Sequence, residues 1–97
     1  MTATEAYLIG KGYGIIERFE DVFLADDDGT MAIIKVVVVE GEYREEISRE
    51  DAEAIMVKML NSVEQVISVP VRFDEIQVLL MNGSRALIRH HVNSLED

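Results

Sequence analysis

The sequence predicts a single small α/β domain with elements in the order αβββαββ, and three observations lead there. At 97 residues the chain has room for one hydrophobic core and no second. Hydrophobic residues make up 48% and charged residues 29%, enough apolar surface for burial to offset the entropy of ordering the chain. The apolar residues fall into two patterns: runs rich in β-branched residues bounded by turn formers, and one segment with spacings of three and four. No repeat or low-complexity tract interrupts residues 1–97, and with Pro70 the sole proline no linker is evident.

The first element, over residues 2–10, reads as a short helix. Ala3, Ala6, Tyr7 and Ile9 offer an apolar side, and Gly10 and Gly12 are available as a stop. Residues 13–19 and 22–25 read as strands. Asp26-Asp27-Asp28-Gly29 then supplies a hairpin turn; a calcium-loop reading lacks the downstream Glu that such a loop requires. Residues 31–39 are broken only by Lys35, and so apolar a run suits a central strand covered on both faces. Lys35 itself is expected to snorkel at a sheet edge. After a charged stretch, Ala52, Ile55, Met56, Met59, Leu60 and Val63 mark one face of a helix, with Met56 and Met59 as core fillers. Ser48 and Asp51 resemble a capping box, and Glu50, Asp51 and Glu53 favour the positive end of the helix dipole. Residues 71–81 and 86–92 read as strands joined through an Asn82-Gly83 turn.

Charge narrows the function. Nine Lys and Arg stand against 19 Asp and Glu, a net charge of −10. Nucleic-acid affinity rests largely on basic side chains displacing counterions, so nucleic acid is an unfavoured partner, and a basic membrane-surface role is equally unfavoured. No apolar stretch approaches the length of a membrane span and no signal peptide is apparent. The absence of cysteine removes disulfide and thiolate chemistry and agrees with a cytoplasmic location. His90 and His91 point to opposite faces on a strand, so they do not converge on one metal. Gly10, Gly12 and Gly14 precede a strand, the wrong order for cradling phosphates.

Four blocks, in order across nearly the whole chain, resemble the YraN family. Ala6-Tyr7-Leu8 through Lys11-Gly12-Tyr13-Gly14-Ile15-Ile16-Glu17-Arg18 is similar to that family's helix, Gly-Tyr step and Ile/Leu-Glu-Arg strand. Residues 22–25, the Asp-Gly turn and residues 30–37 look like the two strands of its nuclease motif. Ile47-Ser48 resembles its Val-Thr helix start, and Arg72-Phe73-Asp74 its late strand. Ile88-Arg89-His90 and Asn93-Ser94-Leu95 resemble its closing pattern. The resemblance implies a restriction-endonuclease-like fold, a small mixed sheet flanked by helices. It also implies that active relatives hold a divalent metal with acids on two adjacent strands.

The family's motif runs Glu-Ile-Asp on one strand and Glu-x-Lys on the next. In this chain Glu20 and Val22 occupy the first strand's Glu and Asp positions, and Lys35 and Val37 the second strand's Glu and Lys positions. Valine has no donor for magnesium, and a cation at position 35 repels a metal. The helix start is acidic where the family's is basic: seven acids and two bases between residues 40 and 53 leave five negative charges. The expected function is therefore a catalytically inactive nuclease-like domain with no cofactor, serving as a scaffold for a protein partner or for self-association through sheet surface that a short first helix leaves bare. The alternative is a magnesium-dependent nuclease with displaced carboxylates, Glu17, Glu20, Asp21 or Glu40. A third reading, nucleic-acid binding without cleavage, requires Lys11, Arg18, Arg72, Arg85 and Arg89 to gather into one patch.

Overall fold

Thr2 opens the first element of the computed structural model, which describes residues 2–62, 69–81 and 85–92. Its hydroxyl accepts from the Glu5 amide at 3.1 Å, and the Glu5 carboxylate accepts from the Thr2 amide at 3.4 Å. This reciprocal capping box starts α1 (Ala3–Gly10). The helix ends where Gly12 adopts φ +90°, a left-handed conformation that disfavours a β-carbon, while the amides of Gly12 and Tyr13 donate to the carbonyls of Ile9 and Leu8. Thr4 and Leu8 form its buried side with Tyr7 half-buried, whereas Ala3, Ala6 and Ile9 face solvent. The apolar side expected from the sequence is thus corrected. In a helix of two turns one large residue, Leu8, decides the docking phase.

Five strands follow, β1 (Gly14–Phe19), β2 (Val22–Asp27), β3 (Thr30–Glu40), β4 (Val71–Leu80) and β5 (Ala86–His91), with α2 (Arg49–Ser62) between β3 and β4. They form one sheet in the order β1-β2-β3-β4-β5. Every neighbouring pair is antiparallel except β3–β4, which runs parallel through ten register pairs from Met31↔Val71 to Glu40↔Leu80. The helical crossover dictates that exception, since parallel neighbours need a long connection and antiparallel ones do not. Between β2 and β3 the two residues Asp28 and Gly29 have φ +50° and +91°, the double left-handed geometry that matches the twist of a two-residue hairpin. The α/β architecture with a mixed sheet and two helices agrees with the sequence. Asn82-Gly83, Val63 and Asn93-Ser94-Leu95 lie outside the described residues.

The two faces of the sheet carry separate cores. On one, α2 lays Ala52 and Met59, with Ile55 and Met56, over Val22, Leu24, Ile33 and Phe73. Ser48 caps this helix by accepting from the Asp51 amide at 3.2 Å. On the other, α1 lays Leu8 and Tyr7 over Phe23, Ala25, Ala32, Ile34 and Ile76. β3 is central, as its composition predicts, yet it is not covered on both faces: Val38, on the α1 side, is 56% exposed. An eight-residue helix is about 12 Å long, whereas the eleven residues of β3 extend over about 36 Å. The helix runs out before the strand does. Among the described residues no helix is long and apolar enough to cross a membrane.

Candidate functional site

Val22 and Lys35 are direct cross-strand partners on the α2 face, and Val37 follows two residues along on that same face. These motif positions therefore do come together, but around a cation. The Lys35 ammonium forms an ion pair with the Asp21 carboxylate, and the Asp21 carbonyl accepts from the Val36 amide at 2.8 Å. Lys35 lies on the third of five strands with its side chain 22% exposed, which corrects the sheet-edge expectation. Its reach is short because Asp21 sits on the two-residue turn directly beside it. The Lys35 hydrogen bond, against a smaller opposing effect of burial, holds the Asp21 carboxyl below the ordinary aspartate range, and the Lys58 charge acts in the same direction.

The other displaced carboxylates do not join this pair. Glu20 is an exposed turn residue with φ +56°. Glu17 is exposed on β1 opposite Leu24, two strands from Lys35, a separation of about 10 Å. Glu40 stands five residues beyond Lys35, about 16 Å away and on the opposite face. Among the described residues no three His, Asp or Glu side chains are grouped so as to hold a metal ion. What surrounds Lys35 is a groove between the β1–β2 turn and α2, walled by Phe19, Val22, Ile55 and Met59, with Glu20, Asp21 and Lys58 at its rim.

A second polar constellation lies on the α1 face. Asp74 of β4 is fully buried. Its carboxylate accepts from Arg72 Nε at 2.9 Å and Nη2 at 3.1 Å, from the Tyr13 hydroxyl at 3.3 Å and from His90 Nε2 at 2.8 Å. With Nε2 donating, His90 Nδ1 accepts from the Tyr7 hydroxyl at 3.0 Å, the one tautomer that satisfies both ring nitrogens. Arg72 also donates to Tyr13 at 2.5 Å and to Asp27 at 2.7 Å. Thus α1, its following loop, β2, β4 and β5 are tied at one point. In outline Tyr7–His90–Asp74 is a phenol–imidazole–carboxylate relay. Burial, then the Asp74 charge, raises the Tyr7 pKa, and the same two causes push Tyr13 up to about 12, so both phenols stay protonated donors. A nucleophile or base needs the reverse shift. The Asp74 hydrogen bond, outweighing burial, holds Arg72 charged.

Two further buried polar side chains of β4 clamp the chain between β3 and α2. Both Glu75 carboxylate oxygens accept from the Ile47 amide at 3.2 Å. Gln77 accepts from the Arg44 amide at 3.0 Å and donates to the Arg44 carbonyl at 3.1 Å. Sequence reading missed Asp74, Glu75 and Gln77 as a set. The available signal was their density, three polar residues within four positions of an otherwise apolar strand.

His90 and His91 do diverge: His90 meets Asp74 on the α1 face, while His91 pairs with Glu46 on the other. Arg89 lies apart from Arg18 and Arg72, and each of the three is engaged by carboxylates. Arg72 is held by Asp27 and Asp74, Arg18 pairs with Glu5 on the α1 side, and Arg89 reaches Glu46 on the opposite side. Among the described residues no helix lies over the far end of β3–β5 on the α1 face, where Val38 (56% exposed), Leu80 (41% exposed), Glu40 and Ala86 stand beside half-buried Val36 and Ile88. The chain matches no protein-family model and no curated protein.

Proposed function

We propose that this chain is a catalytically inert domain of the restriction-endonuclease-like, YraN type that serves as a protein-interaction scaffold, with a second copy of itself as the first partner. The observation that carries the reading is the uncovered strip of sheet on the α1 side. Exposed Val38, Leu80 and Ala86 share that face with half-buried Val36 and Ile88 through the β3–β4 and β4–β5 registers, and exposed Glu40 stands beside Leu80 at the end of the strip. An apolar patch of this kind can pair with its own copy across a two-fold axis. With Glu40 at one end of the strip, two copies of net charge −10 meet through its apolar centre with that carboxylate at the rim.

Two arrangements support the family likeness. Tyr13, Arg72, Asp74 and His90, quoted from three separate blocks of the resemblance, meet in one buried hydrogen-bond network. The motif positions Val22, Lys35 and Val37 share one face of adjacent strands. Inertness is supported by Lys35, which occupies the ligand position and engages the nearest spare carboxylate, Asp21. A cytoplasmic setting is supported by the lack of cysteine.

Size-exclusion chromatography with light scattering, on the full chain up to millimolar concentration, tests the association. A dimer that Val38→Asp combined with Leu80→Asp converts to monomer is expected; a strict monomer at the highest concentration overturns self-association. Inertness is tested with magnesium or manganese on branched, single-stranded and duplex substrates. Cleavage that Asp21→Ala abolishes overturns it in favour of the metal-dependent nuclease.

A further inference from the structure

We propose that the groove around Lys35 is a binding site for a small amphipathic monocarboxylate, its anionic head on Lys35 and its apolar chain along α2. The site lies on the opposite face of the sheet from the association strip, so the proposal is independent of that reading.

The groove combines an apolar wall with a few placed charges, the usual composition of a small-ligand site, and its space of about 610 Å³ falls in the range such ligands occupy. Phe19 and Val22 from the β1–β2 hairpin form one side; Ile55 and Met59, one helical turn apart on α2, form the other. The chain has only three lysines, and two of them, Lys35 and Lys58, line this one groove. Valine at 22 offers no donor to a cation, and the lysine at 35 gives the cleft a fixed positive charge that favours an anion.

Lys35 already holds a carboxylate, that of Asp21, which shows the chemistry the ammonium accepts. The two partners differ in freedom. Lys35 is anchored in the central strand with its side chain 22% exposed, whereas Asp21 is 52% exposed on a turn. An incoming carboxylate can take its place while Asp21 turns to water. Charge selects the class of head group: Lys35 and Lys58 balance Glu20 and Asp21, two positive against two negative. A monoanion adds one negative charge to that neutral set, whereas a phosphate dianion adds two beside Glu20. The apolar wall selects for a chain, since a bare small anion leaves the half-buried Phe19 and Ile55 uncovered.

The test is a titration of the full, ¹⁵N-labelled chain with octanoate, followed by amide shifts, with octylamine as the cationic control of similar length. Saturable shifts confined to residues 19–22, 35 and 55–59 are expected, with none from octylamine. Lys35→Met should weaken octanoate by about tenfold, as loss of a charge-assisted contact does, and Asp21→Asn should tighten it by removing the internal competitor. Should Lys35→Met fail to fold, the exposed Asp21→Asn variant and the octylamine control decide. Shifts that stay linear with octanoate, equal shifts from octylamine, or unchanged affinity in a folded Lys35→Met or Asp21→Asn variant each overturn the proposal.

Discussion

Replacing Asp74 by alanine is expected to cost about 3–5 kcal/mol of folding stability, as removing one member of a buried ion pair does. The side chain is fully buried and accepts hydrogen bonds of 2.8 to 3.3 Å from Arg72, Tyr13 and His90. Its removal leaves the Tyr13 hydroxyl and the His90 ring nitrogen without this acceptor and takes two of the Arg72 hydrogen bonds, leaving those to Asp27 and Tyr13. Each orphaned buried donor costs about 1–3 kcal/mol, so the sum over these groups, reduced by water that enters the vacated space, reaches the same figure. For a domain this small about 4–8 °C of melting temperature is lost per kcal/mol, so a fall of about 12–40 °C is expected. Urea unfolding followed by far-UV circular dichroism measures it. Two controls sharpen the argument. Asp74→Asn keeps part of the acceptor capacity and should lose less, and Arg72→Met with Asp74→Leu, which leaves neither charge unpaired, should be less damaging than Asp74→Ala alone. An Asp74→Ala protein within about 1 kcal/mol of the parent would refute the claim that this network fastens α1 and β5 to the sheet.

Tyr13 titrates at about 12 in the folded chain against an ordinary 10, so its contribution is present below pH 10 and lost as pH rises through 12; the parent should lose stability over that interval and Tyr13→Phe should lack that component in pH-stepped urea melts. Asp21 has the opposite sign: its folded pKa is depressed by Lys35, so the stabilisation is complete above the ordinary aspartate range and drains as pH falls through the lowered value. Because Asp21 is half exposed, Asp21→Asn should flatten the acid limb of stability by no more than about 1 kcal/mol. Gly12→Ala should destabilise by about 1 kcal/mol through its left-handed φ alone, since nothing lies within 4 Å of an added β-carbon; Gly12→Asn should recover part of the loss in thermal melts. Ser48→Ala should cost about 1 kcal/mol by uncapping α2, read out in the same way.

Local chemistry made much of the fold legible. The Asp28-Gly29 turn fixed the β2–β3 hairpin, and Ser48 with the three-and-four spacing of Ala52, Ile55 and Met59 fixed α2 and its buried face. The Thr2–Glu5 capping box was equally local but went unread. Coverage was not legible. A continuous β-branched run states that a strand is central, but whether Val38 is roofed depends on the length of a helix elsewhere in the chain. The polar network was hidden for a related reason: Tyr7 and His90 are 83 residues apart, and no window on the sequence joins them. At the motif positions the resemblance placed Val22 and Lys35 side by side. The capture of Asp21 by Lys35 depended on the tightness of the β1–β2 turn, and the displaced carboxylates were scattered by strand direction.

The β3–β4 pairing is the longest seam in the molecule, and it is sewn by residues forty positions apart. The hairpins of residues 14–40 close over short loops and can form early, whereas β4 must wait for the α2 crossover to bring it back. Until it arrives, Met31 to Val39 presents an open, nearly uncharged border to other chains, the kind of template on which nascent polypeptides mispair. The same stitching that finishes the native sheet therefore also ends the interval in which the protein is most vulnerable to aggregation.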